Sequence, residues 1–84
     1  MIKAGIIEID VHGMRQDEAI SKIEKEVARA DRSVYRIRVI HGYHGGTRIK
    51  DAVWDEYNYH HNEKVLRVQS GLNEGITELI LREL

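Results

Sequence analysis

The sequence contains no cysteine. Disulfides and thiolate metal sites are therefore excluded, and the redox compartment cannot be read from it. Proline and phenylalanine are also absent. No apolar run approaches the roughly 18 residues that a membrane span needs. Residues 1–9 lack the basic start and long apolar stretch of a signal peptide. The expectation is a cytoplasmic protein with no membrane partner. There is little excess of charge: 13 Lys and Arg against 14 Asp and Glu give a net charge of −1. A nucleic-acid-binding domain usually shows as basic, so such a role would need local clustering of the arginines. No repeat, linker or low-complexity stretch appears.

What is present suits one small globular domain spanning 1–84. Apolar residues are 42% and charged residues 32% of the 84, which argues against disorder. A chain of this size buries about 60–65% of the surface its unfolded form exposes, leaving no room for a second core. Histidine is frequent at five, and three of the five stand beside glycine.

Residues 6–12 alternate, with Ile7, Ile9 and Val11 against Glu8, Asp10 and His12, which predicts a half-buried strand. Residues 15–30 carry Ala19, Ile20, Ile23, Val27 and Ala30 at helical spacing. Asp17 and Glu18 fall in the first turn, where the helix dipole favours acids. Residues 34–40 alternate again, with Tyr35, Ile37 and Val39 against Arg36 and Arg38. Thr47 is placed to cap a second helix with Ile49, Ala52, Val53 and Tyr57 on one face, and His60 and His61 near its end. Residues 65–69 read as a short strand, 70–75 as a polar turn bounded by glycine, and 76–81 as a more apolar, central strand.

The predicted order is βαβαββ. Two βαβ crossovers imply three parallel strands, and the short final loop implies an antiparallel hairpin. Strands covered on both faces would read as continuous Val, Ile and Leu, whereas the first two here alternate. The expected architecture is a two-layer α/β (α+β) sandwich: a four-stranded mixed sheet with both helices on one face. Glu8, Asp10, His12, Arg36 and Arg38 should lie on the open face.

Sites in open α/β sheets gather at the carboxyl ends of parallel strands. Both such ends carry a His-Gly pair here, His12-Gly13 and His41-Gly42. Glycine permits positive φ and close approach of a ligand, and the following helix N-termini favour anions. Asp10 and His12 are two apart on a strand and share a face. A carboxylate beside an imidazole fixes its tautomer and raises its basicity, which suits general acid/base work. The plainer reading is a surface ion pair, with His41 merely opening a loop. His41-Gly42-Tyr43-His44-Gly45-Gly46-Thr47-Arg48 is a glycine-rich loop feeding a helix. It fits a phosphate or nucleic-acid backbone cradle supported by Arg48 and Lys50, although glycine loops are common and the plainer reading is a turn needing positive φ. Its spacing is neither a Walker A loop nor a dinucleotide fingerprint.

Asp10, His12, His41 and His44 offer metal-compatible donors but match no compact metal motif. Trp54 reads as a core or edge contact and Tyr43 as the better stacking candidate. Arg36, Arg38 and Arg67 form either a basic stripe across the open face or cross-strand pairs with Glu8 and other acids.

Ile9-Asp10-Val11-His12-Gly13 followed by a helix, a strand into His41-Gly42 and its glycine loop, and Gly75-Ile76-Thr77-Glu78-Leu79 together resemble the Smr (small MutS-related) domain in stand-alone form. The first motif resembles the family's Leu-Asp-x-His-Gly signature, with Ile9 for leucine. The second resembles its His-Gly-x-Gly-x-Gly loop. His44 stands where that loop usually has glycine, and the stretch from His41 to Ile49 is one residue longer. Arg15 replaces a frequent Thr or Ser helix cap. The resemblance implies a fold like the C-terminal domain of bacterial translation initiation factor three, with the last strand inserted centrally. It also implies nucleic-acid binding and, in several members, nicking of DNA or cleavage of RNA.

The expected site has Asp10, His12 and His41 as catalytic residues. Gly13, Arg15, Gly42, Tyr43, His44, Gly45, Gly46 and Arg48 are the expected nucleic-acid contacts, and no metal ligands are assigned. RNA cleavage by a histidine would need no metal, whereas water attack on DNA would gain from Mg²⁺. The alternatives are a non-catalytic binder of RNA or structured DNA and a domain that meets a protein partner. Oligomeric state is not readable.

Overall fold

A computed structural model describes residues 2–60 and 62–83 of the chain. The sequence reading of His61 falls outside them. The elements in order are β1 (Ile2–Lys3), β2 (Ile6–Asp10), α1 (Gln16–Arg29), β3 (Arg36–Ile40), α2 (Arg48–Trp54), β4 (Arg67–Ser70) and β5 (Ile76–Ile80). A π-helical turn, Asp55–Tyr59, continues α2.

The sheet order is β1-β2-β3-β5-β4. β2 and β3 pair in parallel, while β5 pairs antiparallel with both β3 and β4. β2, β3 and β4 thus run the same way, with the final strand inserted between β3 and β4. The four-stranded mixed sheet is as the alternation and crossovers predict. β1 is an addition to it, joined to β2 by an Ala4-Gly5 turn with both φ values positive (48° and 90°), as a two-residue hairpin requires. Two residues are too few to show a period, so β1 carries no local signal. The strands are also shorter than the alternating segments: β3 starts at Arg36 and β4 at Arg67.

Register explains both faces. One row across the sheet is Ile7, Ile37, Leu79 and Val68. All four are buried and meet Ala19, Ile23 and Val27 of α1 and Val53 and Tyr57 of the second helical segment. Both helices therefore cover one face, and burial of these side chains supplies most of the driving force. The opposite face carries the row Glu8, Arg38, Glu78, Gln69. Arg38 Nε donates to Glu78 at 3.0 Å, Arg36 Nη1 lies 3.0 Å from the same carboxylate, and Arg38 Nη1 is 3.6 Å from Glu8. Arg67 pairs with Glu83 and donates to Gln69. Of the two sequence readings of this face, cross-strand pairing is the one found, and the arginines do not form a free basic stripe.

The helix ends follow from local chemistry. Arg15, at the N-cap of α1, has no acceptor, so Glu18 reaches back instead to accept the Arg15 N–H at 3.4 Å. At the far end Lys64 Nζ donates to the carbonyls of Val27, Ala28 and Ala30, at 3.2, 2.8 and 3.0 Å. Three oxygens near the helix end, which the dipole makes negative, thereby gain one cation. Thr47 stands at the N-cap of α2 but does not cap it with its side chain; its hydroxyl donates to Asp51 at 3.0 Å.

Candidate functional site

The two His-Gly pairs close neighbouring parallel strands, but the strand period gives their rings opposite fates. His12 continues the Glu8, Asp10 series of the open face. His41 continues the Ile37, Val39 series of the core. His12 is accordingly exposed and His41 is only 5% exposed.

At the end of β2, His12 Nδ1 lies 2.5 Å from Asp10 Oδ1, which also accepts the His12 backbone N–H at 3.1 Å. An ionised carboxylate can only accept, so Nδ1 carries a proton, which in the neutral ring leaves the lone pair on Nε2. Nε2 has no partner among the described residues. The hydrogen bonds from the His12 side chain and backbone hold the Asp10 carboxyl below its ordinary value, with Lys22 adding a smaller electrostatic push. Lys22 Nζ also reaches the Asp10 carbonyl at 3.4 Å.

At the end of β3, His41 Nδ1 lies 2.8 Å from the Gly42 carbonyl and Nε2 lies 2.8 Å from Thr77 Oγ1. Trp54 Nε1 donates to the same hydroxyl at 3.1 Å. The proton positions follow by elimination. The carbonyl only accepts, so Nδ1–H donates to it. The indole only donates, so Thr77 accepts from Trp54, and in the neutral ring protonated at Nδ1 it is Nε2 that accepts the Thr77 hydroxyl proton. Burial lowers the His41 pKa, the Gly42 hydrogen bond opposes this, and the Lys50 charge lowers it further. The ring is neutral and engaged at both nitrogens. The expectation that His41 supplies proton transfer or a phosphate contact meets this obstacle: the ring faces inward and holds the loop.

The glycine loop is brought against the first motif. Gly42 has φ +74°, and a Cβ there would sit 3.4 Å from His12 Cβ. The Gly75 carbonyl, at the start of β5, accepts both the His41 and the Gly42 N–H, at 2.9 and 3.0 Å. Those two amides are thus tied to the protein. The N–H groups of Gly13, Tyr43, His44 and Gly45 have no backbone partner among the described residues. Tyr43 and His44 stack on each other, with ring centroids 4.5 Å apart and planes 27° from parallel. A Cβ on Gly75 would lie 3.0 Å from the Tyr43 ring.

One groove is lined by His12, Gly13, the loop from Gly42 to Gly46, and Arg48, with a volume of about 480 Å³. His41 also contributes to its wall. Of the expected site residues, Arg15 stands apart: it lines a neighbouring groove that shares Arg48, and its Nε lies 3.5 Å from Asp17. His60 pairs at 3.7 Å with Asp55 on the surface, away from this groove. Trp54 packs against the core, as read from the sequence.

No group of three or more His or carboxylate side chains able to hold a metal ion occurs among the described residues. Toward a Mg²⁺ ion, Asp10 offers the one carboxylate at this end of β2, with one oxygen already held by His12.

Thr77 and Trp54 were not anticipated as parts of the site. The signal for Thr77 lay in its register: with Leu79 it takes the core-facing parity of β5, where a hydroxyl needs a partner.

The Smr domain profile matches residues 9–77. The chain belongs to the Smr domain family, which is associated with nucleic-acid binding and nuclease-type activity. The fold is similar to the crystal structure of the Smr domain of Thermus thermophilus MutS2, with a TM-score of 0.79 at 20% identity, covering 92% of this chain and 99% of that one. No curated protein sequence shows a significant match.

Proposed function

We propose that this protein is an endonuclease domain that binds RNA or structured DNA in the groove between the two motifs and cleaves it with His12 as the proton-transfer group. The observation that carries this reading is the Asp10–His12 pair at 2.5 Å, with Nε2 left free beside loop amides that have no backbone partner. Asp10 fixes the tautomer and stabilises the imidazolium that forms when Nε2 takes a proton. With RNA, Nε2 accepts the proton of the 2′-hydroxyl, the 2′-oxygen bonds to phosphorus, and the 5′-oxygen leaves with a proton from water or from the imidazolium. With DNA, water is the nucleophile, and a bound Mg²⁺ would supply Lewis-acid assistance. The amides of Tyr43, His44 and Gly45, with Arg48, are the groups available to the phosphate charge. His41 acts as a positioning residue, holding the Gly42 carbonyl and hence the loop.

Cleavage of end-labelled RNA and nicking of circular DNA, with and without EDTA, test the proposal. His12→Ala is expected to reduce the rate by on the order of 10²-fold or more, in the range attributed to general acid–base catalysis. Equal product from both proteins would remove His12 from the mechanism.

The exposure of His12, 69% for its side chain, favours a second reading in which the same groove binds without cutting. In that case affinity falls steeply with salt and no turnover appears.

A further inference from the structure

We infer that the stacked Tyr43–His44 pair is a binding platform for one unpaired nucleobase, so that the groove selects single-stranded or looped nucleic acid over an intact duplex. The inference rests on the proposed nucleic-acid role of the groove and adds to it the part of the ligand that is recognised. Three observations carry it.

The rings lie 4.5 Å apart and 27° from parallel, stacked one on the other, so each covers a face of its neighbour and a base would extend the stack on an outer face. Both residues belong to the wall that also holds His12 and Arg48. Tyr43 remains 45% exposed and neither side chain is part of the core, so burial does not account for two adjacent rings here.

The second observation is that the platform is seated. Gly75 leaves the space in which the Tyr43 ring packs, since any Cβ would come within 3.0 Å of it. The root of the loop is anchored from below by the chain Trp54 to Thr77 to His41 to the Gly42 carbonyl. A surface held in advance loses less entropy when a planar ligand settles on it.

The third is chemical. The adjoining amides and Arg48 suit a phosphate, while the rings suit a π-face, and the two together match a nucleotide. A base inside a duplex has both faces covered by its neighbours, whereas an unpaired base has a face to offer.

The test compares ten-nucleotide single strands of thymidine and of uridine with an oligomer of ten abasic sugar-phosphate units, which carries the same backbone charge. Affinity is measured by fluorescence anisotropy for the wild-type chain and for Tyr43→Ala, Tyr43→Phe and His44→Gly. The wild type is expected to bind the base-bearing strands roughly tenfold more tightly than the abasic oligomer. Tyr43→Phe should keep that ratio, His44→Gly should reduce it, and Tyr43→Ala should bring it close to one. A 2-aminopurine in the strand should be quenched on binding to the wild type and not to Tyr43→Ala. Equal affinity of the wild type for base-bearing and abasic oligomers overturns the platform, as does an undiminished ratio in Tyr43→Ala. If His12-dependent cleavage persists in that case, the proposed function stands without it. If the wild type binds none of the oligomers, the platform falls, and His12-dependent cleavage decides the proposed function separately.

Discussion

Two buried polar atoms find no hydrogen-bond partner among the described residues, Tyr57 Oη and Arg36 Nε. Tyr57 is 5% exposed, and burial pushes its phenol well above the ordinary range, with Glu24 and Glu56 adding to the shift. The ring is needed by the core and the hydroxyl is a cost, because a buried polar group without a partner loses its hydration for nothing. Tyr57→Phe keeps the ring and removes the cost. It is expected to leave stability unchanged or raise it by up to about 1 kcal/mol, read from the midpoint of urea unfolding. At this scale the sequence was legible where period two or 3.6 governed a side chain, as at Ile23, Val39 or Asp10. At His41 two signals conflict: adjacency to glycine suggests chemistry, whereas parity with Ile37 and Val39 points the ring into the core, and the parity wins. Glu78 was hidden for the opposite reason. It sits in an apolar strand, and only the register reveals that Arg36 and Arg38 converge on it.

Among the elements, the loop from His41 to Gly46 depends on contacts far away in sequence. Its anchor is the Thr77 hydroxyl, which is wholly buried and joins His41 to Trp54. Thr77→Val keeps the shape and removes the hydroxyl, leaving an imidazole nitrogen and an indole N–H without partners. The expected loss of stability is about 1–3 kcal/mol, and cleavage should fall with it even where the protein remains folded. Thr77→Ser restores the hydroxyl and should recover most of the cleavage rate. If Thr77→Val and Thr77→Ser cleave alike at a temperature where both are folded, the hydroxyl does not position the loop. The element boundaries show what could be read locally. The stripe of α1 and the alternation of β2 were plain because a single face is buried over several turns or residues. The π-helical turn after α2 and the failure of Thr47 to cap were not, since both depend on packing and side-chain geometry that no spacing encodes.

For the whole molecule, the depressed pKa values of His41 and Asp10 act in the same direction. An unfolded chain binds a proton at His41 near its ordinary value of 6.5, whereas the folded chain resists until a lower pH. Between those two values the unfolded state holds more protons, so stability rises with pH there. The contribution is complete above about pH 6.5 and is lost as the pH falls through the folded value of His41. Asp10 adds a second loss further down, beginning near its ordinary 3.8 and ending at its depressed folded value. The thermal midpoint is therefore expected to fall from pH 7 toward pH 5, and His41→Gln should flatten that part of the curve. A midpoint that is level over this interval in the wild type would contradict the buried neutral ring. The strand directions were readable from the crossovers alone, because right-handed parallel connections and a short hairpin allow few arrangements. The balance of charge on the open face was not, because it is set by which residues meet across strands distant in sequence.

The insertion of β5 between β3 and β4 also sets an order of events during synthesis. The ribosome makes β2, β3 and β4 first, at roughly 5–20 residues per second. Until residues 76–80 emerge, β3 has an open edge, β4 has no neighbour, and the imidazole of His41 has no hydroxyl to hold it. The loop thus acquires its anchor in a late step. A nascent chain stalled before that point carries both histidine motifs but not yet the arrangement that unites them.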